Sequence, residues 1–319
     1  MIGDILHRSH EHDYIKPADF VTIFEPFLGK HNLVLSEGAE HDRARKMIHP
    51  AFYFNNLKVM ISIMVEQTNK GIDEFLSSFN NQQTVDLQKE FNTLTLSIMV
   101  SSAFVAAAIE YQTMRMINQV PLLAKLPICQ KHIIDQIIAD RREGRSAKHA
   151  LTFIFAGHET TSSLMIWISY ILMTNNNVLR ACQEEVDRIF SNGTQITYEH
   201  LTELNLLIPV DTTIIIDIYQ LHRRAEFWHR PLEFDYTRWL RDPITGLKPK
   251  LSHPFSYLPF GAGPRNCIGQ NFAMLEAKVI LASLIQRCNF ELEPGQKIIP
   301  DIMVNMQSKY GLRAKISRR

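Results

Sequence analysis

Phe260-Gly261-Ala262-Gly263-Pro264-Arg265-Asn266-Cys267-Ile268-Gly269 decides how this chain is read. It is a Gly/Pro-rich loop that ends in a cysteine. Beyond it, apolar residues fall at Ile268, Phe272, Leu275, Val279, Leu281, Ala282 and Ile285, close to helical spacing. The pattern predicts that Cys267 sits at a helix N-terminus. There, free N–H groups and the positive end of the helix dipole favour a negative sulfur. The glycines let the backbone fold tightly and aim N–H donors at that sulfur. Arg265, two residues earlier, adds a cation beside whatever the sulfur holds.

A thiolate so placed is a ligand for a soft or borderline metal. With no second ligand nearby, the metal must bring its other ligands, as heme iron does. The alternative is a buried structural cysteine in a turn. Phe260, Gly263, Arg265, Cys267 and Gly269 fit F-x-x-G-x-R-x-C-x-G. At roughly 5% usage per position, that pattern arises by chance in about one chain of this length in ten thousand. It resembles the heme loop of the cytochrome P-450 family, the heme-thiolate monooxygenases. The resemblance implies Cys267 as the iron ligand.

A second stretch, His149 to Met173, reads as a helix that is apolar almost all round on both flanks, hence buried. Its middle, Gly157-His158-Glu159-Thr160-Thr161-Ser162-Ser163, is small or polar, which is costly in a buried helix. Thr160 can return its hydroxyl to the Ala156 carbonyl and open a polar notch. Ala156-Gly157-His158-Glu159-Thr160-Thr161 resembles the same family's A-G-x-[DE]-T-T oxygen-binding motif. The resemblance implies that Thr160 steadies dioxygen and relays protons, that Glu159 feeds the relay, and that Gly157 allows close approach of heme and oxygen. The competing reading is a hydrogen-bonded polar patch between core helices. His158 reads as a solvated or packing residue.

A helix is expected from about Ala39 to Ile48, with Pro50 at its exit. His41 and Arg45, four residues apart, share one of its faces. Before Pro50-Ala51-Phe52, this pairing resembles the family's contact with the heme propionates, two carboxylates that need cations in an apolar pocket. The competing reading is a solvated basic face, since Arg43 and Lys46 lie beside them.

The 319 residues are 45% hydrophobic and 21% charged, an ordinary globular composition with ample material for a large core. A net charge of +1 gives no case for nucleic acid or an anionic membrane surface. Cys129, Cys182, Cys267 and Cys288 form no C-x-x-C pair, which points to a reducing compartment. No run of eighteen apolar residues and no signal-peptide pattern is present. Family members of eukaryotes usually carry an N-terminal membrane anchor; none is read here.

Helical periods cover about 56–80 and 86–107, with Asn80–Gln83 as a loop between them. A further helical run is read from Ile133 to Arg142, and an amphipathic helix from Val178 to Phe190. Thr212 to Tyr219 is β-branched and strand-like. Cys288 to Arg319 reads as terminal β-hairpins. Phe234-Asp235-Tyr236-Thr237-Arg238-Trp239 resembles the family segment before the heme loop, with Arg238 as its arginine. The family's E-x-x-R helix, which pairs with that arginine, is missing. Glu185-Val186-Asp187-Arg188 fits the letters but lies one helix too early. Where the true motif belongs, Leu204-Asn205 runs straight into Leu206-Leu207-Ile208-Pro209. The region between Ala103 and Leu151 also reads as shortened.

The expectation is one heme-thiolate monooxygenase domain over 1–319, mainly α with a small β portion: an incomplete cytochrome P-450-like fold. The resemblance implies heme b (iron protoporphyrin IX), dioxygen, a small lipophilic substrate, and electrons from NADPH through a reductase partner. It implies the endoplasmic reticulum membrane as location, or the cytoplasm for a chain without an anchor. The alternatives are a catalytically impaired heme-binding remnant and an incomplete gene product.

Overall fold

A computed structural model describes residues 16, 21–22, 24–25, 28, 32–78, 84–113, 147–190, 196–197, 218–302 and 305–319. The expected helix at 133–142 and most of the expected strand at 212–219 lie outside them. So does the 204–209 join.

Four long helices build the core. Helix α1 (Gly38–Ile48) leads through a 3-10 turn (His49–Phe52) into α2 (Phe54–Ser78). Strand β1 (Thr84–Asp86) runs directly into α3 (Leu87–Thr113). Helix α4 (Ala147–Thr174) is followed by α5 (Asn176–Ile189), and α7 (Gln270–Arg287) comes after a short α6 (Ile218–Leu221). On α2, Leu57, Met60, Ile61, Met64, Val65, Ile72 and Phe75 are buried at three- and four-residue steps, an apolar stripe at helical period. On α7 burial is nearly continuous: Ala277, Val279, Ile280, Leu281, Ala282 and Ile285 are all 1% exposed or less. An apolar surface on every side requires neighbours on every side. Accordingly α7 packs against α2, α4 and α5, while α3 packs against α4 and α2.

Helix α7 passes straight into β2 (Cys288–Leu292), followed by β3 (Pro300–Ile302), β4 (Met306–Ser308) and β5 (Arg313–Arg318). β3 and β4 form an antiparallel pair, Asp301 opposite Gln307. β5 is the middle of a three-stranded antiparallel sheet ordered β1-β5-β2, with Ala314 opposite both Val85 and Leu292. Ala314 and Ile316 point into the core while Arg313 and Lys315 point out, the period of two of a half-buried strand.

The mainly helical fold with a small β portion is as expected, and the helix limits fall within a few residues of the periodicities. Two details differ. β1 falls between the expected loop and the expected helix start near 86 and is not among the sequence expectations, because three residues are too few to show a strand period. Ile218 and Tyr219 are helical rather than strand, since the Ile218 carbonyl accepts the His222 N–H at 2.9 Å. Among the described residues, no helix is long and apolar enough to cross a membrane.

Candidate heme-thiolate site

The cysteine loop is shaped by its glycines. Gly261 and Gly263 hold φ of +69° and +73°, a left-handed backbone that side chains disfavour. A 3-10 turn (Gly263–Arg265) follows, and the Cys267 N–H donates to the Phe260 carbonyl at 2.9 Å, closing the loop on itself. The helix starts later than the pattern predicts: Gly269 is the N-cap of α7, so Cys267 stands two residues ahead of it. The Gly269 N–H nevertheless bonds the sulfur. A Cβ built on Gly269 would lie 3.9 Å from Cys267 Sγ and 3.7 Å from Phe52, in ordinary contact with both, so Phe52 and the sulfur border this side of the cradle.

Cys267 is exposed, whereas Cys182 and Cys288 are buried. Protein crowds the sulfur from behind, and this desolvation raises the thiol pKa; the Gly269 N–H and the Arg45 charge oppose it. Among the described residues, no group of three His, Cys, Asp or Glu could hold a metal ion. An open thiol with N–H support, within the charge of Arg45 and short of other ligands, fits the iron of a porphyrin. Metal binding would draw off the thiol proton.

The cations expected near the cofactor come to this loop from far away in the chain. Arg45 donates to Asn266 twice, to its carbonyl at 2.8 Å and to its side-chain oxygen at 2.6 Å. Phe52 packs edge-on against Phe272 at 6.5 Å. Together these contacts fix the end of α1 and its following turn onto the cysteine loop. His41 is buried and 3.4 Å from Asp42; burial first, then the Arg265 charge, lowers its pKa. Arg43 and Lys46 are exposed, so His41 and Arg45 do not belong to a solvated basic face. Arg265 does not stand ready beside the sulfur. It is ion-paired with Glu37 and donates to the Ser36 carbonyl at 3.3 Å.

On α4, the Thr160 hydroxyl donates to the Ala156 carbonyl at 2.7 Å, the back-bond that the sequence predicts. Thr160 and Ala156 are exposed, while Thr161 through Ile166 are all buried. A surface opening therefore interrupts one face of a core helix. Glu159 lies beside it, and its carboxylate accepts from Gln307 Nε2 at 3.1 Å. Gly157 has a different neighbour from the one expected. A Cβ there would come within 2.4 Å of Met99 Sδ, so the glycine admits α3. His158 bonds the Ile154 carbonyl of its own helix at 2.9 Å, a packing role.

The rest of the polar run faces the core. Thr161 donates to Glu276 Oε2 at 2.9 Å, and Ser162 bonds Asn92. Glu276 is fully buried on α7, nine residues beyond Cys267. Burial pushes its pKa up to about 8, with the Thr161 hydroxyl pulling the other way. This contact ties the Thr160 helix to the helix that follows the cysteine. Glu276, Glu37 and Asn266 were not singled out from sequence. A lone acid within the apolar period of α7 was the available signal for Glu276; nothing local marked Glu37.

Arg238 is held by the backbone of its own segment. It donates to the His229 and Arg230 carbonyls, both at 2.6 Å, and lies 4.0 Å from Asp235. Glu185, buried on α5, instead lies near Lys278, and its neighbour Asp187 pairs with Arg319. The rejected E-x-x-R letters thus have no contact with Arg238 among the described residues. A cavity of about 240 Å³ opens between α4 and the 219–239 segment, lined by Trp167, Tyr219, Arg238 and Trp239. None of the expected site residues lines it.

The family model described as Cytochrome P450 matches residues 142–207 and 204–312, two pieces that meet where the sequence shows its abrupt join. Cytochrome P450 3A27 of Oncorhynchus mykiss is 24% identical over 359 residues, covering 82% of this chain and 68% of its own. Cytochrome P450 4Z1 of Homo sapiens is 24% identical over 412, covering 95% and 80%. That span exceeds the 319 residues here, so the relative carries internal segments without a counterpart. Carotene epsilon-monooxygenase, chloroplastic, of Arabidopsis thaliana is 32% identical over 223, covering 59% and 41%.

Proposed function

Because the chain belongs to the cytochrome P450 family of heme-thiolate monooxygenases, we propose that it binds heme b through Cys267 and oxygenates a small lipophilic substrate. The observation that carries this reading is the open Cys267 thiol, bonded by the Gly269 N–H and under the charge of Arg45. The heme supplies dioxygen activation, and a thiolate ligand favours O–O cleavage. The protein supplies position and protons. Gly261 and Gly263 hold the loop open around the sulfur. Arg45, Arg265 and His41 would hold the propionates. Thr160, with its hydroxyl turned to Ala156 O, offers an oxygen that can accept and pass a proton at the notch. Glu159, held by Gln307, replenishes it from solvent. Electrons arrive from NADPH through a reductase. The reaction belongs at the endoplasmic reticulum membrane, a reading that the resemblance to eukaryotic members of the family supports.

The test is turnover by the purified, heme-loaded chain with a reductase and NADPH, scored as substrate-dependent oxygen incorporation. A specific observation favours a second reading, a heme-binding chain with impaired turnover. Arg238 is held by backbone carbonyls, and the relatives' internal segments have no counterpart here. Heme uptake with a thiolate spectrum but no oxygenation would select it.

A further inference from the structure

We propose that Glu37 is a placeholder for a heme propionate: its carboxylate pairs with the Arg265 guanidinium and competes for it with a propionate. The inference rests on the reading of Cys267 as the iron ligand.

Glu37 is the N-cap residue of α1, where a carboxylate would ordinarily accept the free N–H groups of the first turn. It makes no side-chain cap bond. Its two oxygens turn instead to Arg265 and to Lys16, whose backbone N–H donates at 3.1 Å and whose ammonium lies 3.5 Å away. Arg265 is two residues from Cys267, so it lies within reach of anything the sulfur binds. Both partners keep partial exposure, 36% for the Glu37 side chain and 25% for Arg265, which leaves an incoming carboxylate a way in.

The second arginine is arranged differently. Arg45 donates to the carbonyl and amide oxygens of Asn266, both neutral acceptors. Heme brings two propionates. One can add to Arg45 without displacing a charge; the other meets an arginine already matched by a carboxylate. Exchange at Arg265 is therefore carboxylate for carboxylate. Lys16 gives the released Glu37 a cation to keep, so neither acid is left unpaired. Glu37 lowers the net affinity for heme and holds Arg265 extended toward the start of α1.

Hemin titration of the full chain, followed by tryptophan quenching and Soret absorbance, tests this. Glu37→Gln keeps the shape and removes the charge. It is expected to tighten hemin binding about threefold to tenfold, the scale of a partly exposed charged pair. Hemin dimethyl ester, whose propionates carry no charge, should bind both proteins equally. Circular dichroism verifies that each is folded. Equal or weaker hemin binding by the variant, or the same gain with the ester, overturns the placeholder role alone. A folded wild-type chain that takes up no hemin overturns the heme reading, and this inference falls with it.

Discussion

Replacing Glu276 by Gln should change how stability depends on pH. The carboxyl is fully buried, accepts one hydrogen bond from Thr161 and has no partner for Oε1. Its pKa rises from 4.5 to about 8 in the folded chain. Between those values the folded chain keeps a proton that the unfolded chain releases. Its contribution is thus fully present below pH 4.5 and is lost as pH rises through about 8. From pH 5 to pH 8 the loss comes to about 3 kcal/mol, at 1.36 kcal/mol for each pKa unit. Gln keeps an acceptor for Thr161 but cannot titrate. Guanidinium unfolding of both proteins at pH 5 and pH 8 reads the effect, and the difference between them cancels every other titrating group. The wild type should lose about 3 kcal/mol more than E276Q over that range. Equal losses would refute the buried, protonated state of Glu276.

Other perturbations test the packing and the open thiol. Gly157→Ala places a Cβ 2.4 Å from Met99 Sδ and should destabilise by about 1–3 kcal/mol; Met99→Ala in the same chain should recover part of it in thermal melts. Gly311→Ala meets both a φ of +75° and the Asp86 carboxylate at 2.7 Å, so a loss of about 1–3 kcal/mol is expected in thermal melts; no loss would contradict the left-handed backbone and the close approach of Asp86. Among Cys182, Cys267 and Cys288, iodoacetamide should label Cys267 first by peptide mass spectrometry. The other two are buried, and desolvation raises their pKa to about 12 and about 11.

Much of this molecule can be read from its sequence because the helices repeat their apolar residues many times. α2 is 25 residues long and repeats its apolar stripe over about seven turns, and the 28 residues of α4 are apolar on both flanks, so their limits follow. The loop around Cys267 is legible for another reason: its glycines, arginine and cysteine sit within ten residues, so spacing alone carries the chemistry. What sequence does not show is contact at long range. Arg45 and Asn266 are 221 residues apart, and Arg265 and Glu37 are 228 apart. Gly157 has the same cause. A glycine beside a polar run suggests room for a ligand, yet the room is taken by Met99 from another helix. β1 is a three-residue strand whose identity comes from its partner, Ala314 opposite Val85, rather than from its own pattern.

The central claim is that the Cys267 sulfur holds a heme iron. The carbon monoxide spectrum of the reduced, hemin-loaded chain measures this directly. A red-shifted Soret band of the thiolate type, lost in Cys267→Ala, is the predicted result. A folded chain that takes up no heme, or a thiolate-type band that survives in Cys267→Ala, would contradict it.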